Sequence, residues 1–129
     1  MSTQPKILVI VHDIDDHLNE MANPIAEAGI LMNTWDVQND GDGLPNLDEL
    51  EQYSGIISLG AHAGVLEEAE NPWMSHERKI MEWALETETP LLGLCFGSQL
   101  LASAAGARVY KADAGEFAWT KVTMLPEAD

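Results

Sequence analysis

The sequence predicts an α/β fold, a doubly wound and mostly parallel sheet with helices on both faces. Residues 6–11 (KILVIV) form an unbroken apolar run rich in β-branched side chains, which is typical of a strand covered on both faces. Apolar residues with helical spacing follow this run, and strand-like and helix-like segments then alternate along the chain. Such alternation indicates a parallel sheet whose strands are joined by helical crossovers.

The first half of the chain contains three predicted strands and one helix. A helix is predicted from apolar side chains at helical spacing, namely Leu18, Met21, Ala22 and Ile25. Pro24 is expected to kink or restart this helix, and Gly29 is expected to end it. The second and third strands are predicted at residues 30–37 and 55–59, separated by a polar loop at 38–45 and a short helical turn at 47–52.

The second half contains the more regular helical patterns. Asn71 and Pro72 predict the N-cap and first turn of an amphipathic helix, whose apolar face holds Trp73, Ile80, Met81, Ala84 and Leu85. Residues 90–94 are predicted as a short buried strand, and the helix after it ends at Gly106 and has Gln99, Leu100, Leu101 and Ala104 on one face. Two further strands are predicted at residues 108–111 and 117–124.

Composition limits the classes of function. A chain of 129 residues with 46% hydrophobic content predicts one globular domain over residues 1–129. Its net charge of −16 repels phosphate backbones and anionic lipids, so neither a nucleic acid nor a membrane is expected as a partner. The same excess of acidic residues suits a salt-rich cytoplasm. A cytoplasmic location is expected because no leader or membrane-span pattern is seen, and the lone cysteine agrees with a reducing compartment. Oligomerisation stays open.

The lone cysteine is the strongest chemical signal. Cys95 falls between Gly93 and Gly97, at the point where the apolar strand at 90–94 gives way to a helical pattern. A fold displays a nucleophile on such a tight strand-to-helix turn, where the flanking glycines let the backbones pass closely. The helix N-terminus favours a thiolate, and the Phe96 N–H would face an oxyanion formed beside the sulfur. The alternative is a small buried hydrophobic residue.

Three loops are expected to gather at the carboxyl edge of the sheet, where ligands of such folds bind. They are residues 12–16, 60–64 and 95–97. The middle loop (GAHAG) consists of small residues, so its backbone can approach a ligand and, with the Phe96 N–H, complete an oxyanion hole. The alternative is an ordinary turn after a strand.

These residues carry a family resemblance. The pattern G-x-C-x-G-x-Q, here Gly93, Cys95, Gly97 and Gln99, resembles the nucleophile elbow of the class I glutamine amidotransferases, and the likeness extends over nearly the whole chain. Residues 59–62 resemble the family's L-G-G-P oxyanion loop, residues 73–86 its helix before the nucleophile strand, and residues 115–119 its G-x-E-x-G-W segment. The resemblance implies a flavodoxin-like fold.

The resemblance also implies roles for individual residues. Cys95 would attack the glutamine side-chain amide, form a γ-glutamyl thioester and release ammonia for transfer to a synthetase or acceptor domain or subunit. The N–H groups of Ala61 and Phe96 would bind the oxyanion, and Gly60 and Gln99 would bind the substrate. Gly93 and Gly97 would shape the elbow, and no cofactor or metal is implied.

The chain departs from the family pattern in two places. Ala61 and His62 replace a glycine and a proline, so strain is expected at Ala61 if its φ is positive. The family's catalytic His-x-Glu motif lies beyond the segment that ends at Asp129, so the domain is expected to be C-terminally incomplete and to have little glutaminase activity by itself. His12 and His62 are the histidines that fall at strand ends, and each is a candidate substitute base.

Other interpretations stay open with less support. A partial calcium-loop pattern comprises Gln38, Asp40, Asp42, Gly43 and Glu49, and an oxygen and imidazole metal site would comprise His12, Asp13, Asp16 and His17. The acidic residues after the first strand also resemble those of a receiver domain, but the third strand lacks the aspartate that this class requires. The competing functions are a non-catalytic or fragmentary assembly module of the same fold and a γ-glutamyl hydrolase with another substrate.

Overall fold

A four-stranded parallel sheet forms the centre of the computed structural model, which describes residues 4–40 and 45–128. Its strands are β1 (Lys6–Val11), β2 (Leu31–Asp36), β3 (Gly55–Ser58) and β4 (Leu91–Gly93), in the order β2-β1-β3-β4. The helices are α1 (Ala22–Glu27), α2 (Trp73–Glu86) and α3 (Phe96–Ala104), with 3-10 turns at Asn19–Met21, Leu47–Gln52, Val65–Glu70 and Pro126–Ala128. Within the described residues, no helix has the length and apolar character needed to cross a membrane. The predicted parallel α/β architecture is confirmed.

The two faces of β1 pack against different helices. Leu8 and Ile10 are buried in one cluster with Ile80 and Ala84 of α2. Val9 and Val11 belong to a second cluster, with Ile25 of α1 packed against it. Because alternate residues of a strand point to opposite faces, α1 and α2 cover opposite sides of the sheet, as predicted.

The third cluster fixes the start of α3. Phe96 and Leu100 of α3 are buried against Met74 and Met81 of α2. Apolar burial of this kind stabilises each large side chain by about 1.5–3 kcal/mol. The first turn of α3, which directly follows Cys95, is therefore held against α2.

The structure corrects two predicted features of the second half. Residues 108–111 and 117–124 are irregular and form no strand, and Phe117 and Trp119 are fully exposed. A strand requires a hydrogen-bonding partner, and in the described residues β4 pairs with β3 alone. Asn71 is also not the N-cap of α2, because Pro72 occupies that position and the Asn71 side chain donates to the Glu67 carbonyl at 2.9 Å.

A hydrogen-bonded turn closes β2. The Asn39 side-chain amide donates to Asp36 Oδ2 at 2.8 Å, and the N–H groups of Gln38 and Asn39 donate to Oδ1 at 3.1 and 3.2 Å. The Asn39 side chain, aided by these N–H groups, lowers the pKa of Asp36 below its usual value, against the opposing effect of burial. The folded state therefore prefers the ionised carboxyl.

We expect Asp36→Asn to destabilise the protein by about 0.5 kcal/mol at pH 7, since an exposed charge-assisted turn is weakened by solvent screening. A carboxyl whose pKa is lowered on folding stabilises the protein above its unfolded pKa, and this contribution is lost as the pH falls through the folded value. Urea unfolding between pH 7 and pH 3 checks this, because the gap between wild type and variant should shrink on acidification. Asp48→Asn, at an exposed site in the Leu47–Gln52 turn, serves as the control. A gap that is constant with pH contradicts the assignment.

Candidate active site

Cys95 lies at a strained turn between β4 and α3. Its backbone has φ 54° and ψ −115°, and its side chain is exposed. A non-glycine residue at positive φ in this region stores about 1–3 kcal/mol, and such strain concentrates at functional sites. The chain therefore holds the thiol at the surface in a conformation that costs free energy.

The two flanking glycines allow the strand and the helix to touch. A Cβ on Gly93 would lie 2.6 Å from the carbonyl carbon of Gly97, and a Cβ on Gly97 would overlap the carbonyl oxygen of Ser58. The N–H of Leu94 donates to Ser58 O at 2.9 Å, and the N–H of Gly97 donates to Leu59 O at 3.1 Å. The cysteine turn is thereby fixed to the carboxyl end of β3, from which the loop at 60–64 continues.

Two backbone N–H groups near the elbow are free. In the described part of the chain, neither the Ala61 N–H nor the Phe96 N–H has a hydrogen-bond acceptor. Positive φ among the described non-glycine residues is confined to Asn19, Glu88 and Cys95, so the condition for strain at Ala61 is not met. Alanine adopts a φ outside the positive region without strain, so residue 61 does not need to be a glycine here.

His12 is fully buried and both of its ring nitrogens are occupied. Nδ1 lies 3.0 Å from Gly60 O, and Nε2 lies 2.7 Å from Oε2 of the equally buried Glu77. The second oxygen of Glu77 accepts a hydrogen bond from Ser58 Oγ at 2.6 Å. His12 is therefore engaged in a closed polar cluster of the core.

His62 is turned toward the acidic loop after β1. The backbone N–H of His62 donates to Asp13 Oδ2 at 2.6 Å. Nε2 of its exposed ring lies 3.0 Å from Asp15 Oδ1. Over residues 4–40 and 45–128, no hydrogen bond joins Cys95 Sγ to a histidine. The geometry thus supports neither His12 nor His62 as the base for Cys95.

The metal-site interpretations find no geometric support. No group of three His, Cys, Asp or Glu side chains in the described residues is placed to hold a metal ion. Two residues of the partial calcium pattern, Asp42 and Gly43, lie outside the described residues. The Asp16 carboxylate instead packs against Gly60, where a Cβ would overlap it.

A cleft of about 550 Å³ lies between the loop after β3, Gln99 of α3 and residues 109–112, and its volume is in the range of small-molecule sites. Cys95 is not among the residues that line it. Gln99, one helical turn after Cys95, lines it together with His62 and Gly64 from the loop after β3. Tyr110 and Lys111 also line it. The cleft brings Gln99 and the glycine-containing loop together, as their places at the carboxyl edge of the sheet predict.

Sequence reasoning missed Glu77 and Ser58. Glu77 stands on the apolar face of α2, one turn after Trp73 and three residues before Ile80. A carboxylate is almost never fully buried without partners, so a glutamate on an apolar helical face is the signal that predicts a polar cluster. Its partners are Ser58 of β3 and His12, which directly follows β1. The helix pattern could not predict either contact.

Comparison with known proteins finds one matching family. The family profile described as "Glutamine amidotransferase class-I" matches residues 13–125. A subunit of the glutamine-hydrolyzing GMP synthase of Methanocaldococcus jannaschii is 35% identical over 86 residues, which are 67% of this chain and 40% of that protein. Gamma-glutamyl peptidase 4 of Arabidopsis thaliana is 30% identical over 96 residues, 73% of this chain and 38% of that protein.

A solved structure shares the fold. The crystal structure of a glutamine amidotransferase from Thermotoga maritima has a TM-score of 0.79 and 32% sequence identity, and the match covers 89% of this chain and 49% of that one. The chain thus spans less than half the length of the relatives that it matches here.

Proposed function

Because this chain belongs to the class I glutamine amidotransferase family, we propose that Cys95 is the nucleophile that hydrolyses a glutamine side-chain amide. The observation that carries the proposal is the strained, exposed conformation of Cys95 at φ 54°, immediately before α3. Strain at an exposed thiol has no packing benefit, whereas a nucleophile on a tight turn gains access to its substrate.

The proposed chemistry divides one difficult reaction into two easier ones. Cys95 gives up its thiol proton to water, the thiolate attacks the amide carbon, and the leaving nitrogen takes a proton from water as the carbon–nitrogen bond breaks. Ammonia then leaves with a γ-glutamyl thioester remaining. Water then hydrolyses the thioester to glutamate and regenerates the thiol. The free N–H groups of Ala61 and Phe96 would stabilise the oxyanion of both steps, and one such donor contributes about 10²–10³ in rate.

The cleft that Gln99 lines is the proposed glutamine site. Gln99, which lines the cleft, would orient the substrate. Gly60 does not line the cleft; its backbone, which carries no side chain because Asp16 packs against it, would contribute from the loop after β3. Lys111, which also lines the cleft, would supply a positive charge for the substrate α-carboxylate, and Glu67 of the same cleft would face the substrate α-ammonium group.

The fate of the ammonia defines two candidate functions. Similarity to part of a glutamine-hydrolyzing GMP synthase supports transfer of ammonia to an acceptor on a synthetase domain or subunit. Similarity to a gamma-glutamyl peptidase supports a second candidate, hydrolysis of another γ-glutamyl amide. A cytoplasmic location suits both, since a free thiol survives in a reducing compartment. Release of ammonia from glutamine, compared with release of an amino acid from a γ-glutamyl dipeptide, distinguishes them.

Acylation of Cys95 by the γ-(p-nitrophenyl) ester of glutamic acid tests the nucleophile directly. The leaving p-nitrophenolate needs no proton, so this step depends on the thiolate and the oxyanion donors rather than on a general acid. We expect one γ-glutamyl group on Cys95, found by mass spectrometry of the digested protein. The β-ester of aspartic acid is the control for substrate length. Equal labelling by both esters, or labelling at a lysine instead of Cys95, would point to the non-catalytic alternative.

Gln99→Ala is expected to raise the ester concentration needed for half-maximal acylation about 5-fold, the equivalent of one lost hydrogen bond of about 1 kcal/mol. The acylation rate at saturation should change little, because Gln99 binds substrate and does not touch the reacting atoms. Stopped-flow release of p-nitrophenolate measures both quantities. Gln52→Ala, in the distant turn at Leu47–Gln52, is the matched control and should leave both unchanged. An unchanged half-maximal concentration for Gln99→Ala removes it from the binding site.

A further inference from the structure

A closed polar cluster lies beneath the elbow, where β1, β3 and α2 meet. His12, Ser58 and Glu77 are all fully buried. A buried carboxylate and a buried imidazole are costly unless each polar atom is paired, and replacing such a pair by apolar groups is often neutral or stabilising. Stability alone therefore does not account for this cluster.

Hydrogen-bond chemistry fixes the direction of each contact in the cluster. Gly60 O accepts and cannot donate, so His12 Nδ1 carries a hydrogen and donates it across 3.0 Å. One proton is then shared between His12 Nε2 and Glu77 Oε2 at 2.7 Å, while Ser58 Oγ donates to the other carboxylate oxygen at 2.6 Å. Glu77 thus holds His12 in the tautomer that anchors the Gly60 carbonyl.

Anchoring this carbonyl also orients the N–H beyond it. The Gly60 C=O and the Ala61 N–H belong to one peptide group, and the two bonds of a trans peptide point in opposite directions. His12 holds the carbonyl on the core side, so the Ala61 N–H is directed away from the core. The next N–H, that of His62, is bonded to Asp13 at 2.6 Å, so the peptide at Gly60–Ala61 is held from both sides.

The same imidazole touches the second donor residue. The His12 ring meets the Phe96 ring edge-on with centroids 4.9 Å apart, and it lies 5.0 Å from the Trp73 ring. Trp73 and Phe96 also pack on each other at 5.6 Å. One buried ring therefore anchors the peptide that carries the Ala61 N–H and packs on the side chain of Phe96, the residue with the other free N–H.

We propose that His12 and Glu77 are positioning residues that aim the Ala61 N–H at the oxyanion formed on Cys95. Glu77 acts through His12, and neither residue touches the substrate. This proposal rests on the proposed function, because the oxyanion exists only if Cys95 is acylated.

Paired substitutions separate positioning from folding. Each substitution of His12 is combined with Glu77→Gln, so that no buried carboxylate loses its partner. In Glu77→Gln alone, the amide oxygen accepts from Ser58 and the amide nitrogen donates to His12 Nε2. His12→Asn keeps a donor at the place of Nδ1, whereas His12→Phe keeps the aromatic contacts and removes the donor. His76→Phe is the matched control, because His76 also bonds a carbonyl, Pro45 O at 2.9 Å, and packs on Trp35, but makes no contact with the Gly60 carbonyl.

Two reactions of Cys95 are compared in each variant. Acylation by the γ-glutamyl ester passes through an oxyanion, whereas alkylation by iodoacetamide displaces iodide with no oxyanion. We expect His12→Phe with Glu77→Gln to reduce the ratio of acylation to alkylation rate about 10- to 100-fold. The ratio should stay within about threefold of wild type in three variants, namely Glu77→Gln alone, Glu77→Gln with His12→Asn, and His76→Phe.

Each outcome decides the proposal. An unchanged ratio in the phenylalanine variant, or an equal loss in the asparagine variant, overturns it. If wild-type Cys95 is alkylated but never acylated, the proposed function fails, and the Ala61 amide ¹⁵N resonance then decides the positioning alone. That resonance should move in the phenylalanine variant and stay in place in the asparagine variant, because it reports the hydrogen bond to the preceding carbonyl; an unmoved resonance in the phenylalanine variant rejects the contact.

Discussion

Gly97→Ala is expected to destabilise the protein by about 3 kcal/mol, although it adds a single methyl group. The new Cβ would overlap the carbonyl oxygen of Ser58 and lie 2.7 Å from its carbonyl carbon. Ser58 has no room to move, because its carbonyl accepts the Leu94 N–H at 2.9 Å and its side chain is held by Glu77 at 2.6 Å. Relief requires α3 to move away from β3.

Urea unfolding measures this loss, and Gly115→Ala is the matched control. A Cβ on Gly115 meets nothing within 4 Å, so that variant should stay within about 0.5 kcal/mol of wild type. Movement of α3 would also displace Cys95, so the fraction of Gly97→Ala that stays folded should acylate more slowly than wild type. A Gly97→Ala protein as stable as wild type would show that the close packing of α3 on β3 is not required.

Cys95→Gly is expected to abolish acylation and, at the same time, to stabilise the fold by about 1 kcal/mol. The nucleophile is lost outright, whereas glycine adopts φ 54° without the strain of about 1–3 kcal/mol that a side chain imposes there. The greater entropy of glycine in the unfolded chain offsets about 0.5–1 kcal/mol of that relief. Because the thiol is exposed, little packing is lost with it.

Cys95→Ala separates the two effects. It also removes the thiol and is expected to be equally inactive toward the γ-glutamyl ester, but its Cβ keeps the strain. The free energy of unfolding of the glycine variant minus that of the alanine variant, increased by the glycine entropy cost of about 0.5–1 kcal/mol, therefore measures the strain at this residue. An alanine variant more stable than the glycine variant would place the strain elsewhere, and residual acylation in either would assign the nucleophile to another side chain.

Local patterns were sufficient for the core of the fold. The predicted strand at residues 6–11 coincides with β1, and the strands predicted at 30–37, 55–59 and 90–94 contain β2, β3 and β4. Both α2 and α3 also begin and end close to their predicted positions. Hydrophobic periodicity depends on which residues face the core, and a continuous two-sided core makes that pattern clear.

The sequence pattern gave wrong predictions for segments that need a hydrogen-bonding partner elsewhere in the chain. Residues 108–111 and 117–124 have strand-like composition, yet a strand forms only against another strand, and none pairs with them in the described residues. The predicted helix around Pro24 forms as α1, which starts at Ala22. Pro24 therefore lies in its first turn, where the missing N–H is harmless.

The turn at Cys95 could be predicted from the sequence, whereas the surroundings of His12 could not. The spacing of Gly93, Cys95 and Gly97 indicated a tight turn, and the structure shows the unusual φ at the cysteine itself. His12 was a candidate base from its place at a strand end, but its environment comes from Glu77, 65 residues away along the chain. No local pattern reports such a contact.

By itself, the sequence determined the parallel α/β fold, the turn that presents Cys95 and membership of the amidotransferase family, since these depend on periodicity and on short motifs with fixed spacing. Only the tertiary structure decided which polar groups meet. It buried His12 against Glu77 and Gly60, turned His62 toward Asp13, and, within the described residues, left the N–H groups of Ala61 and Phe96 free. Hydrogen bonds and close packing act over a few ångströms in space, and folding alone brings residues distant in the chain to that range.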